Sequence, residues 1–330
     1  MRTTRIGRML AAGTALWLAT APVARAQDGS TAEQTIATMT KLWGEHPGLR
    51  ANHAKGVVVE GSFTPTPEAA RLSKATLFQG GPVPVTARFS NSTGLPALAD
   101  GAPEANPHGM SLKFRSADGE MDVVANSLGF FPVANGEEFL ELLRAVAASP
   151  AGTPSPTPIE RFMAAHPAAP KAFATASTPS SFGREQYNGV NALVLVDRAG
   201  IRTPFRYRFV PVAGVEHLTS DEAAKRPPNY LMEELPARLA RGEAVAFKVL
   251  AQIAGPGDST RDSTVPWPED RRLADLGTVT LSKAVPDSAT AEKGLLFMPN
   301  TLPDGVESSD DPLIDARVQA YAISFGRRSQ

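Results

Sequence analysis

The chain has 330 residues, no cysteine, and 33 basic against 34 acidic side chains, a formal net charge of −1. The lack of cysteine excludes a disulfide framework, thiolate metal ligands, iron–sulfur clusters and a cysteine nucleophile. A near-neutral chain without a basic tract argues against nucleic acid as a partner.

Residues 1–26 read as an export signal. Arg2, Arg5 and Arg8 make a basic n-region, Met9 to Ala19 an apolar core, and Ala24-Arg25-Ala26 a small-x-small cleavage site. The apolar run is too short for a membrane span, and Pro22 and Arg25 soon follow it. A retained N-terminal anchor is the alternative. With no adjacent Arg-Arg pair, the general secretory route is expected rather than twin-arginine export. Cleavage removes four arginines and no acid, leaving 29 basic side chains (33 less four) against 34 acidic, a net charge of −5. The expectation is a periplasmic protein, free of the membrane after cleavage, with one domain over residues 27–330.

Thr31 to Trp43 has helical spacing in Ile36, Met39, Leu42 and Trp43. Strand-like segments follow at Gly56–Phe63, Val85–Ser90, Met110–Arg115 and Met121–Asn126. The last two are split by Ala117-Asp118-Gly119, a hairpin turn signal. Asn135 and Glu138 open a helix with an Asn cap, whose residues Phe139, Leu142, Leu143 and Val146 share one face. Ala148 to Pro170 reads as a surface crossing with one short helix around Ile159–Ala165. A second strand group is expected at Val190–Val196, Phe205–Val212, Val245–Ile253 and Thr278–Ser282, with a helix at Asn229–Arg241. The last helix spans Asp311 to Phe325. Strands on both sides of a helical insertion predict an α+β fold, an antiparallel β-barrel with helices packed outside.

Five histidines occur, and none forms a HExxH or HxH cluster, so a zinc or di-iron site has little support. Gly-x-Ser-x-Gly and phosphate-binding glycine loops are lacking, which removes hydrolase and nucleotide readings. The polar residues that stand out are Arg50 and His53 in Arg-Ala-Asn-His-Ala-Lys-Gly and Arg88 and Ser90 in Ala-Arg-Phe-Ser. Beside them are Asn126 at the end of Asp-Val-Val-Ala-Asn, and Arg317 with Tyr321 four residues later on one helix face. Taken singly these are ordinary: a structural histidine, a strand hydroxyl, a turn asparagine, a solvated Arg–Tyr pair. Taken together, from about Arg50 to Val133 and again at the C-terminal tyrosine helix, they resemble the haem catalases. The closer resemblance is to their small, exported, catalase-related peroxidase branch. Residues 148–310 carry no such match.

The resemblance implies a non-covalent haem b, with its iron, held between the barrel and the C-terminal helix. It implies Tyr321 as the axial ligand, kept as phenolate by Arg317. His53 would be the base that moves a peroxide proton, Ser90 its partner, and Asn126 the amide donor to the peroxide oxygens. Arg50, Arg88 and Arg328 would hold the haem propionates, although Arg327 is adjacent to the last. Phe131, of the pair Phe130-Phe131, would stack on the porphyrin. Hydrogen peroxide or an organic peroxide would be the substrate and a small molecule the reductant, with weak catalase activity beside it. The chain departs from the family at Asn52, where valine is usual before the distal histidine. It departs again at His108 of Pro-His-Gly and after Tyr321, where Asp-Thr is missing. It also lacks the additional C-terminal parts of larger catalases, and a more open channel is expected. Alternatives are a haem carrier or sensor without turnover, a haem enzyme converting fatty-acid hydroperoxides, and a haem-free barrel carrying an apolar ligand.

Overall fold

The computed structural model describes residues 29–329, so the export signal read at residues 1–26 lies outside the described residues. Helix α1 (Thr31–Trp43) begins with a reciprocal cap between Ser30 and Glu33, which satisfies two backbone donors that a helix start leaves open. Next come β1 (Gly56–Pro65), α2 (Pro67–Leu72), β2 (Val83–Ser90), and the hairpin of β3 (Gly109–Ser116) and β4 (Gly119–Asn126). The hairpin turns on Gly119 at φ 128°, where a Cβ would be strained.

Helices α3 (Gly136–Ala147), α4 (Pro158–Ala165) and α5 (Ala168–Phe173) follow. The expected crossing thus holds two short helices rather than one. The first is set by the Thr157–Glu160 capping box with Pro158 in its first turn. Short strands β5 (Thr178–Pro179), β6 (Tyr187–Asn188) and β7 (Leu193–Val196) lead to the long β8 (Arg202–Pro211), then β9 (His217–Leu218), α6 (Ser220–Ala224) and α7 (Tyr230–Ala240). The chain continues through β10 (Val245–Ile253), β11 (Leu273–Ala284), α8 (Ser288–Gly294), β12 (Val306–Ser308) and α9 (Pro312–Arg328). β11 is longer than the expected Thr278–Ser282 because it pairs with β1 along one side and β10 along the other.

The strands run β10-β11-β1-β2-β3-β4-β6-β8, and β8 pairs with β10 to close an eight-stranded antiparallel barrel. Closure leaves the eight barrel strands without an open edge. β7 and β12 extend the sheet beyond β8. The lumen is filled by fully buried rings of Phe89, Phe182, Tyr187, Phe205, Phe209 and Phe247, with Phe89 stacked on Phe182 at 5.3 Å. Side chains occupy the space that a ligand-carrying barrel would need.

Strand alternation sends Val85, Ala87 and Phe89 into that core, which turns Arg88 and Ser90 to the outer face. There a second cluster joins Ile36 and Met39 of α1, Leu143 and Phe139 of α3, and Ala320 and Ile323 of α9. Burial of each large apolar side chain contributes about 1.5–3 kcal/mol. This helical layer is why β2 is buried on both faces over Val85–Ser90.

β1 carries a bulge between Glu60 and Gly61 against β11. A Cβ at Gly61 would run into the Thr280 carbonyl oxygen and come within 2.7 Å of the Leu281 Cα. Both are backbone atoms of a paired strand and cannot give way. Gly61→Ala is therefore expected to lower the unfolding free energy by about 2–3 kcal/mol in urea titrations. A variant as stable as the parent would contradict this packing.

Candidate active site

Gly56, Ser90, Gly109 and Asn126 stand opposite one another across β1, β2, β3 and β4. This row marks one end of the outer barrel wall. Over it, beneath α1, α3 and α9, lies a cavity of about 810 Å³. Every residue singled out in the sequence, Arg50, His53, Arg88, Ser90, Asn126, Phe131, Arg317, Tyr321 and Arg328, lines it.

His53 sits at φ 55°, a left-handed conformation that costs a non-glycine residue on the order of 1 kcal/mol. Asn52 supports it: its Oδ1 accepts the His53 backbone N–H at 2.9 Å. The departure at position 52 is thus used to shape the turn. Ser90 Oγ lies 3.1 Å from His53 Nδ1, leaving Nε2 for the cavity. Gly109 makes room for the pair, because a Cβ there would fall 2.7 Å from Ser90 Oγ and 3.1 Å from His53 Nδ1. Burial, and then the positive charges of Arg88, Arg50 and Arg317, lower the imidazole pKa to about 4. The ring is neutral at ordinary pH.

On the same wall, the Oδ1 of Asn126 accepts the Leu128 N–H at 2.9 Å. That bond fixes the amide and leaves its Nδ2 donors without a protein partner among the described residues. The helical wall carries the other pair. Arg317 Nε donates to Tyr321 Oη at 3.1 Å, its Nη2 donates to the Val124 carbonyl at 3.1 Å, and its Nη1 donates to Asn191 Oδ1. Asn191 in turn donates to Asp311 Oδ2 at 2.8 Å. Asp311 also caps α9 through the Leu313 N–H at 2.9 Å. The residue that starts the helix therefore also fixes the guanidinium four residues before Tyr321.

Three guanidinium groups gather at one edge of the cavity. Arg50 and Arg88 share Glu292 Oε2, at 3.0 Å and 2.8 Å, and Arg50 and Arg328 both donate to the Leu295 carbonyl. Burial, with Arg88 and Arg328 nearby, pulls the Arg50 pKa down to about 8. Arg328 falls to about 10 through burial and the charge of Arg88. The Nε atoms of Arg88 and Arg328 are buried without a partner. Three cations face one carboxylate, so the edge is short of negative charge and of acceptors. A flat apolar ligand with two carboxylates, as haem is, meets both needs, and a phenol and an imidazole-bearing wall suit its iron. The residues present fit haem.

The geometry also separates neighbours that the sequence left paired. Arg328 is buried and lines the cavity, whereas Arg327 is exposed. Phe131 lines it and lies 6.0 Å from Phe139, whereas Phe130 does not line it. His108 is completely buried, packs edge-on against Phe182, and has no hydrogen bond at either ring nitrogen. Sequence reasoning missed Glu292, Asn191 and Asp311 as parts of the site. Only Asp311 carried a local signal, an acidic cap directly before Pro312.

A family model described as catalase matches residues 27–328. The chain is 35% identical over 308 residues to a catalase-related peroxidase of Mycolicibacterium paratuberculosis, covering 91% of this chain and 96% of that protein. It is 32% identical over 315 residues to the catalase-related peroxidase of Synechococcus elongatus, covering 94% and 92%. Catalase-2 of Arabidopsis thaliana is 27% identical over 292 residues, 83% of this chain but 58% of that one. Catalase A from Saccharomyces cerevisiae superposes with a TM-score of 0.77 at 22% identity, covering 86% of this chain and 62% of that one. At that identity the likeness concerns the fold.

The depressed His53 pKa makes a stability prediction. Between its folded value of about 4 and the unfolded value of 6.5, the unfolded chain binds more protons, so stability falls as pH drops through this window. The share from His53 is about 3 kcal/mol. In haem-free protein, His53→Gln is expected to flatten the loss of unfolding free energy between pH 7 and pH 4. An unchanged pH slope in urea titrations would show that the imidazole is not held neutral.

Proposed function

The chain belongs to the catalase family and is an oxidoreductase acting on peroxide, and we propose that it is a haem-dependent peroxidase that spends hydrogen peroxide or an organic peroxide on a small reductant. The observation that carries this reading is the single cavity lined by a His53–Ser90 pair and a free Asn126 amide on the barrel side. On the helix side it is lined by an Arg317–Tyr321 pair, with an anion-deficient arginine edge beside both.

Bound there, haem b would supply the two-electron oxidising chemistry that these side chains lack. Arg50, Arg88 and Arg328 would hold its carboxylates through forked donors. Tyr321 Oη would hold the iron, and the Arg317 guanidinium, which donates to that oxygen, would stabilise negative charge there. Phe131 would pack against the ring. His53 Nε2 would take the proton from one peroxide oxygen and carry it to the other. Ser90 holds Nδ1 and with it the plane of the ring. Asn126 Nδ2 donates to the peroxide oxygens and stabilises charge as it develops.

Two features favour a peroxidase with only weak catalase activity. The catalase-related peroxidases match over more than nine-tenths of their length. The cavity also continues along an apolar flank of Ile36, Trp43, Met163 and Phe173, which gives room for an aromatic reductant. In this reading residues 1–26 would act as an export signal, and the reaction would take place in the periplasm.

Peroxide-dependent oxidation of an aromatic donor, measured beside oxygen evolution on haem-loaded protein, tests the proposal. Donor oxidation is expected to exceed oxygen release, and His53→Ala is expected to lower it by about 10²–10⁴-fold. Tyr321→Phe is expected to abolish it. Oxygen evolution that dominates and ignores the donor would contradict the peroxidase assignment, and full activity in His53→Ala would remove the histidine from it.

A further inference from the structure

Among the groups around the cavity, Glu292 has no place in the chemistry above, yet it holds two of the three arginines. It is the only buried residue of α8. An acid as the sole buried anchor of a helix is unusual, because burying a carboxylate costs several kcal/mol unless it is paired. The rest of α8 faces solvent or is half-buried, and no apolar side chain of it is buried. Apart from the two ion pairs, its side-chain tether to the barrel is Ser288 Oγ, which accepts the Val58 N–H at 2.7 Å. The helix is capped from within by Asp287, which accepts the Thr290 N–H at 2.9 Å, so it can shift as a unit. Moving it sacrifices polar contacts and almost no hydrophobic burial.

The anchor lies where the site awaits anions. Glu292 Oε2 takes Arg50 Nη1 and Arg88 Nη2, and three residues on, the Leu295 carbonyl takes Arg50 Nη2 and an Arg328 donor. The segment from Glu292 to Leu295 thus occupies guanidinium donors that a haem carboxylate would need. We propose that Glu292 is a placeholder ligand: in the haem-free chain it stands in for a carboxylate of the cofactor on Arg50 and Arg88, and haem binding displaces it together with α8. This deepens the haem reading and rests on it. The consequence is a trade. Glu292 keeps the buried arginines in place before the cofactor arrives, and it lowers haem affinity by the fraction of chains in which the arginines are already taken.

The test uses the full chain, isolated haem-free, as wild type and Glu292→Gln. Two quantities are measured: the haem-free melting temperature, without and with succinate, and the affinity for haemin by titration. Sodium chloride at matched ionic strength is the control for salt. The variant is expected to melt about 5 °C lower, since removing one partner leaves buried charges unpaired, and to recover part of that loss with succinate but not with chloride. Its haemin affinity is expected to rise about tenfold. Unchanged or weaker haemin binding by folded Glu292→Gln would overturn the proposal, because Glu292 would then not compete with the cofactor. If the Gln variant does not fold, Glu292→Asp keeps the charge but shortens its reach. Tighter haemin binding by the Asp variant supports the placeholder, and unchanged or weaker binding overturns it. A wild-type chain that takes up no haemin contradicts the haem reading itself. The placeholder is then judged on succinate alone: selective stabilisation of the Gln variant supports it, and none overturns it.

Discussion

Everything in this molecule follows from a barrel closed on its own aromatic core. Because Phe89, Phe182, Tyr187 and Phe247 fill the lumen, the strands can offer functional groups only on their outer face. The period-two pleat then fixes which residues go there: Phe89 inward, Arg88 and Ser90 outward. A polar outer wall of this kind cannot remain under a helical layer without partners. The helices α1, α3 and α9 cover it only in part, and the cavity that remains between wall and helices is where the chemistry collects.

Within that cavity, geometry and charge divide the work by wall. The barrel side is rigid, being hydrogen-bonded strand to strand, and it carries the groups whose positions matter to within a few tenths of an ångström: His53 on Ser90, and the Asn126 amide fixed through Leu128. Two glycines, at positions 56 and 109, flank Ser90 in the cross-strand row. A Cβ at Gly56 would collide with the Arg88 guanidinium and with the Phe89 carbonyl oxygen. The helix side carries Tyr321, and its guanidinium partner is held through Asn191 by the residue that caps the helix. The arginine edge supplies the driving force for a dianionic ligand. Burial, and then this positive charge, lower the pKa of His53, so the charge that would attract such a ligand also helps to keep the base unprotonated.

Much of this was legible in the sequence, for physical reasons that differ from place to place. The first four strands and the helix from Gly136 to Ala147 could be read because turn glycines and an Asn cap punctuate a clear periodicity. The proposed site residues, all of which line one cavity, could be picked out because the motifs around them are continuous and local. What could not be read is non-local. β11 was underestimated because its length is set by two partner strands, and β6 is two residues long with no periodicity to detect. Helices α2, α6 and α8 are five to seven residues long, too short for an amphipathic pattern. Glu292 was therefore invisible: its importance comes from two arginines that lie 242 and 204 positions earlier in the chain. Asn191 was missed in the same way, since its role exists only where β7's approach meets the start of α9.

The central proposal is that the cavity takes one haem, with Tyr321 holding its iron. Resonance Raman spectroscopy of haem-loaded wild-type protein, at a stoichiometry fixed by titration, tests it most directly. The account predicts one haem per chain and vibrations of an iron-bound phenolate that vanish in Tyr321→Phe. Haem bound without phenolate modes would contradict the axial assignment, and no stoichiometric uptake would contradict the cofactor itself.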